Sequence, residues 1–234
     1  MIRLKLVAAL VALPVLALSA LQSTPNALTS EEKKDGFVLL FDGKSISNWR
    51  RWKGEGVPES WKVVDGSLSH VAGAGSGGDI MSDQQYGDFE LRLEWKIAEG
   101  GNSGIMYRAS DKYDISWYTG PECQILDNAR HPDGKNPKTS AGSDYALYAP
   151  IKDVCKPAGE WNEVRIVAKG KHVEHWLNGT KIAEYEVESP EWKDLVSKSK
   201  FADLPDYGRM PSGHIVLQDH GDTVSFRSIR IRKL

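Results

Sequence analysis

Three short stretches of the chain carry side chains that could do chemistry together. In Glu122-Cys123-Gln124-Ile125-Leu126-Asp127, strand alternation puts Glu122 and Gln124 on one face and Cys123 and Ile125 on the other, with Asp127 at the strand end. In Asn102-Ser103-Gly104-Ile105-Met106-Tyr107-Arg108, the same alternation places Arg108 on the face of Gly104, where the missing side chain would let a ligand approach. In Leu217-Gln218-Asp219-His220-Gly221-Asp222, Gln218 and His220 project together. Histidine is the residue type best suited to proton transfer near neutral pH, so His220 is a candidate for that role; its bland alternative is a structural hydrogen bond to Asp219 or Asp222. Any one of these stretches alone reads as a solvated sheet face. Three of them, in a chain with eight Trp and eight Tyr, point to a polyol-binding surface, because aromatic faces stack on sugar rings while amides and carboxylates bind hydroxyls.

The elements that must position these residues are strands. Phe89, Leu91, Leu93, Trp95 and Ile97 alternate with Glu90, Arg92, Glu94 and Lys96, which predicts one apolar and one polar face. Shorter strands are predicted at Phe37–Phe41, Trp61–Val64, Ile105–Arg108, Cys123–Leu126, Tyr145–Tyr148, Val164–Ala168, His214–Gln218 and Val224–Ile231. Val173–Leu177 and Ile182–Val187 flank Asn178-Gly179, a dipeptide suited to a two-residue hairpin turn. One short helix is expected after Ser189, which can cap it, with Pro190 in the first turn. Many strands without alternating helices predict an all-β jelly-roll sandwich and argue against a doubly wound α/β fold. The G-x-G-x-x-G at Gly73, Gly75 and Gly78 therefore reads as a loop at the sheet rim, since Asp79-Ile80-Met81 continues as a strand and not as a phosphate-binding helix.

Charge and composition narrow the partners. A net charge of −2 gives no basic surplus, so nucleic acid is an unexpected partner and a neutral solute a better one. The chain opens with Arg3 and Lys5, runs apolar from Leu6 to Leu18, and then meets Ser19 and Ala20, the pattern of a signal peptide too short to span a bilayer. The expected organisation is a signal peptide over 1–20, a flexible linker over 21–34 and one domain over 35–234, in a periplasmic or secreted protein with no membrane partner after cleavage. Cys123 and Cys155 could form one disulfide or remain separate thiols. No cofactor and no metal are expected: Asp127, Asn128, His131, Asp133 and Asn136 suggest calcium, but Ala129 breaks the D-x-[DN]-x-[DN]-G spacing.

Several long motifs are similar to those of a known family. They are Gly36-Phe37-Val38-Leu39-Leu40-Phe41-Asp42-Gly43-Lys44 followed by Trp49, Asn102-Ser103-Gly104-Ile105, Glu122 to Asn128, Gly159-Glu160-Trp161-Asn162, His175-Trp176-Leu177-Asn178-Gly179, and Gly213 to Gly221 with Phe226-Arg227-Ser228-Ile229. In that order, over nearly all of the chain after the leader, the sequence resembles the 3-keto-disaccharide hydrolase family. Cys123 departs from it, standing where an aromatic or larger apolar residue is expected, on the core side of its strand. The resemblance implies a concanavalin A-like jelly roll, a sugar ligand on the concave sheet, and cleavage of 3-keto-glycosides by removal of the C2 proton. Such chemistry needs a base, an enolate stabiliser and a proton for the leaving group. On that basis His220 is the expected base, Glu122 the runner-up for that role or the acid, and Arg108 the enolate stabiliser. Glu94, Asn102, Gln124, Asp127 and Gln218 would orient hydroxyls or neighbouring side chains.

Two other readings stay open at this level. A non-catalytic, lectin-like carbohydrate-binding domain would use the same fold. An ordinary glycosidase with a Glu94/Glu122 acid–base pair would require suitable carboxylate separation across adjacent strands.

Overall fold

The computed structural model describes residues 24–234; the expected signal peptide lies outside the described residues. Two antiparallel sheets pack face to face as a jelly-roll sandwich. The larger runs β11 (Thr180–Glu186), β10 (His172–Leu177), β9 (Asn162–Lys169), β6 (Phe89–Ile97), β13 (Val224–Lys233), β4 (Ser67–His70), β3 (Trp61–Val64), with β1 (Val38–Leu39) also paired to β13. The smaller runs β2 (Trp49–Arg51), β5 (Ile80–Ser82), β12 (His214–Leu217), β7 (Asn102–Ala109), β8 (Glu122–Leu126). Between them lies one core, in which Leu91, Leu93 and Trp95 of β6 join Ile105, Tyr107, Ile125, Ile215 and Leu217 of the smaller sheet. The alternation read in β6 is therefore what packs one sheet on the other.

Local sequence explains how the sheets are shaped. Asn178 and Gly179 both take positive φ, 48° and 78°, the requirement of the tight turn joining β10 to β11. In β13 a bulge at Ser228 (φ 53°) shifts the register between Arg227 and Arg230, so β4 pairs with the first half of the strand and β1 with the second. Asn26 fastens that bulge, its Oδ1 accepting from Ser228 N at 2.8 Å.

Three expectations need correction. Residues 24–34 are not a flexible linker: α1 (Ser30–Lys34) has a capping box between Thr29 and Glu32, worth about 1 kcal/mol, and Glu32 is buried against Arg230. The helix after Ser189, α2 (Pro190–Ser197), is thus one of two α-helices among the described residues, and three 3-10 turns accompany them. Tyr145–Tyr148 is not a strand, because Ala146 takes φ 65° and turns the chain; only an isolated bridge joins Asp144 to Tyr148. Of the two states left open for the cysteines, the structure has the separate thiols: Cys123 faces the core, as alternation required, and Cys155 is half-buried against the Leu126 carbonyl.

Candidate active site

The site lies on the face of the smaller sheet turned away from the core. β7 and β8 pair with Gly104 opposite Gln124 and Met106 opposite Glu122, while Gln218, just past β12, donates its backbone N–H to the Gly104 carbonyl at 3.0 Å. Asn102, Glu122, Gln124, Gln218 and His220 thereby line one cleft, together with Trp117, Tyr145 and Lys200, which sequence reasoning missed.

Glu122 is the electrostatic centre of this cleft. Its side chain crosses over the neighbouring strand at Gly104, where an added Cβ would fall 2.0 Å from Glu122 Oε1. The glycine is needed for the carboxylate and not, as the sequence suggested, for close approach of a ligand. With its amide nitrogen turned toward acceptors, Gln124 donates to Glu122 Oε1 at 3.1 Å and to the Ser103 carbonyl at 2.9 Å, holding the carboxylate in place. No arginine among the described residues pairs with it. Burial pushes the Glu122 carboxyl up to about 7; Lys200 opposes this shift, and the negative charges of Asp79 and Asp133 add to it. Lys200 is held over Trp117, Tyr145 and Phe201, its ammonium 4.7, 4.3 and 5.2 Å from the ring centroids, and burial moves its pKa down although Glu122 and Asp133 oppose that.

His220 stands on a turn tied down at every other residue. Asp219 N donates to Asp79 Oδ1 at 3.0 Å, and Asp219 Oδ2 accepts from Gly78 N at 2.6 Å. Buried His70 joins both ends of the turn, with Nε2 2.9 Å from Asp219 Oδ1 and Nδ1 2.7 Å from the Asp222 carbonyl oxygen. Asp222 Oδ2 accepts from Asn102 N at 3.0 Å. The structural alternative for His220 thus fails: both aspartates have other partners, and the exposed His220 ring makes no hydrogen bond among the described residues. The glycine loop read at the sheet rim serves here, since Gly77 and Gly78 pass directly beside Asp219. Beside the turn, Asp79 is pushed up by burial, although Ser116 donates to it at 2.6 Å.

Three expected site residues are elsewhere. Arg108 takes φ 51° at a bulge that shifts the β7–β12 register between His214 and Val216, so Met106 and Ala109 both face a small apolar cluster with Met81 and Val216. The Arg108 guanidinium turns to the sheet edge, donating to the Gly87 carbonyl at 2.8 Å, the Gly170 carbonyl at 2.7 Å and Asp88 at 3.1 Å. Glu94 lies on the outer face of the larger sheet and pairs with Arg227 at 2.7 Å, so it cannot act with Glu122 and the glycosidase pair is ruled out. Asp127 is consumed by backbone of two loops, accepting from Gly100 N of the β6–β7 turn at 2.7 Å and from Ala129 N at 3.1 Å. His131 and Asn136 likewise cap neighbouring turns, accepting from Asp133 N at 3.2 Å and Lys138 N at 3.0 Å. Atoms of His172, Glu174 and Glu184 come within 4.8 Å of one another on the larger sheet, but Lys181 already pairs with both carboxylates.

Comparison with known proteins places this geometry in context. Residues 36–232 match the 3-keto-alpha-glucoside-1,2-lyase-like domain. The chain belongs to this family. A 3-keto-disaccharide hydrolase of Bacteroides thetaiotaomicron is 34% identical over 229 residues, covering 86% of this chain and 79% of that protein. The crystal structure of a candidate glycosyl hydrolase from Parabacteroides distasonis superposes with a TM-score of 0.83 at 34% identity, covering 90% of this chain and 100% of the other. A Bacillus licheniformis beta-glucanase, at 11% identity and a TM-score of 0.52 over 85% of this chain and 98% of its own, shares the fold. No described helix is long and apolar enough to cross a membrane.

Proposed function

We propose that this member of the family cleaves 3-keto-glycosides, with Glu122 as the base. The observation that carries the reading is a buried carboxylate, pushed up to about 7 and left without an arginine among the described residues, in a cleft that also holds Lys200 and His220. A C3 ketone acidifies the C2 proton. Glu122 takes that proton, and the C–H electron pair enters the enolate, whose C3 oxygen gains charge. Lys200 is the cation in reach of this charge, in the role first expected of Arg108. Collapse of the enolate expels the C1 glycosidic oxygen, which takes a proton from His220. Water then adds across C1 and C2, so the balance is hydrolysis. Asn102, Gln124 and Gln218 offer amide groups along the same cleft, and Gln218 Oε1 is buried without a protein donor, which suits a sugar hydroxyl.

The base was expected to be His220, and two features favour the exchange of roles. A carboxyl group near neutrality is basic enough to take an acidified C–H proton and is ionised in a useful fraction of molecules at working pH. His220, exposed at the cleft wall, stands where a leaving group departs. The test incubates the protein with a matched pair of disaccharides, one oxidised at C3. Cleavage of the oxidised sugar alone is expected; binding of both without turnover would make the protein a lectin-like domain. Exchange of the C2 proton with deuterated water then separates the two groups. Glu122→Gln should abolish exchange and His220→Gln should preserve it, and the reverse pattern would return the base to His220. We propose further that the chain acts outside the cytoplasm, after removal of residues 1–20, which intact-mass measurement of exported protein would check.

A further inference from the structure

The cleft has two lobes that meet at His220. The inner lobe, about 260 Å³, contains Glu122, Lys200 and Tyr145. The outer lobe, about 440 Å³, is lined by Arg51, Trp52, Asp79 and Asp114, and Trp117, Gln218 and His220 belong to both. Glu122 and Lys200 therefore stand on one side of His220 only, and the larger lobe carries nothing that proton removal uses.

Trp52 gives the outer lobe its character. Its Nε1 donates to the Asp114 carbonyl at 3.0 Å, and the residue packs against the apolar cluster of Met81, Met106, Ala109 and Val216. The indole is thus fixed along one edge and backed by side chains of β5, β7 and β12. Near Asp219 the wall is bare backbone: a Cβ at Gly77 would fall 2.3 Å from Asp219 Oδ2. A fixed aromatic plane bordered by Arg51, by Asp79, which accepts from Ser116 and Asp219 N, and by Asp114, which pairs with Lys53 at 2.7 Å, suits a polyol ring, whose C–H face can stack while its hydroxyls meet Arg51 and the remaining lone pairs of the two carboxyl groups. An apolar aglycone would leave those charges facing hydrocarbon.

We propose that the outer lobe is a leaving-group subsite for a second pyranose ring, stacked on Trp52, with the scissile bond lying over His220 where the lobes join. This rests on the reading of the inner lobe as the site of proton removal. Calorimetric titration with maltose and with methyl α-glucoside, on wild type and Trp52→Ala, measures the subsite without turnover. The variant should lose about tenfold or more of its maltose affinity and change less than twofold toward the methyl glycoside. In parallel, kcat/KM for 3-keto-maltose should fall by a similar factor, with that for methyl 3-keto-α-glucoside nearly unchanged. Equal losses for both sugars, or none for either, would overturn the subsite. If neither keto sugar is cleaved while maltose affinity falls selectively, the subsite stands and the proposed reaction falls. Should Trp52→Ala fail to fold, Trp52→Leu keeps the apolar plug over the methionines, removes the aromatic plane, and is held to the same outcomes.

Discussion

The two outward faces of the sandwich use the same residue types to opposite ends. On the larger sheet Glu90 is 1% exposed, and on the smaller Glu122 is 5% exposed. Burial pushes both carboxyls up. For Glu90 this is outweighed by hydrogen bonds from Arg92 and Arg232 and by the charge of Arg165, so its pKa ends below the usual carboxylate value. For Glu122 the charge of Lys200 does not outweigh burial and the nearby Asp79 and Asp133, Gln124 adds only a neutral donor, and the carboxyl ends near 7. A buried carboxylate surrounded by guanidinium groups is a structural joint, whereas one left under-compensated holds a proton that can be exchanged at neutral pH. Pairing, and not polarity, separates the two faces.

The sharpest way to break this comparison is to neutralise each carboxylate in turn. Glu122→Gln should lower turnover by roughly 10²- to 10⁴-fold, the usual worth of a positioned base. The same change should stabilise the protein at alkaline pH. The folded pKa of Glu122 is raised above its unfolded value, so the wild type loses stability as pH climbs from about 4.5 to about 7 and bears the full penalty above that, on the order of 3 kcal/mol. Melting temperatures at pH 8 should therefore be higher for the glutamine variant, and equal for the two proteins near pH 4. Wild-type kcat/KM should rise with pH through about 7, and Lys200→Met should move that limb to higher pH, because Lys200 opposes the upward shift. A limb that stays in place would remove Lys200 from the site.

Glu90→Gln should do the reverse, leaving turnover per folded molecule intact while costing about 3 to 5 kcal/mol, since three arginines lose their shared anion. A urea titration beside an activity measurement decides it. Arg108→Met comes next in size. It orphans the Gly87 and Gly170 carbonyls at the sheet edge and should destabilise the fold by about 2 to 3 kcal/mol without altering chemistry in the cleft. A drop in kcat for correctly folded Arg108→Met would return the arginine to the site.

What could be read in the sequence, and what could not, follows the same line. Strands with clean alternation, such as Phe89–Ile97, were legible because period two is local, and so was the face shared by Glu122 and Gln124. Arg108 failed because a bulge inverts the alternation for one residue, and only Ala109, not glycine, follows it to hint at the left-handed backbone. Lys200 and Tyr145 come from connecting segments and Trp117 from a single 3-10 turn (Ser116–Tyr118), all too short to show periodicity. The nearest signal for Lys200 is its neighbour Phe201, whose burial fixes where the lysine can reach. Glu94 failed for a different reason: alternation gave its face correctly, but the sheet to which β6 belongs is a long-range fact.

Glu94 supplies the smallest expected effect and the last test of the comparison. Its partner Arg227 stacks on Trp161, 4.0 Å from the ring centroid, and both charged side chains are about a quarter exposed. Removing the carboxylate leaves the guanidinium on the indole and in contact with water, so Glu94→Gln should cost no more than about 1 kcal/mol. The position lies on the opposite face of the sandwich from Glu122, so cleavage of a 3-keto disaccharide should change less than twofold. That outcome separates this site from a paired-carboxylate glycosidase, in which loss of either acid lowers the rate by orders of magnitude. A hundredfold loss in Glu94→Gln, with folding intact, would mean that the two faces are coupled and that pairing alone does not tell a structural carboxylate from a working one.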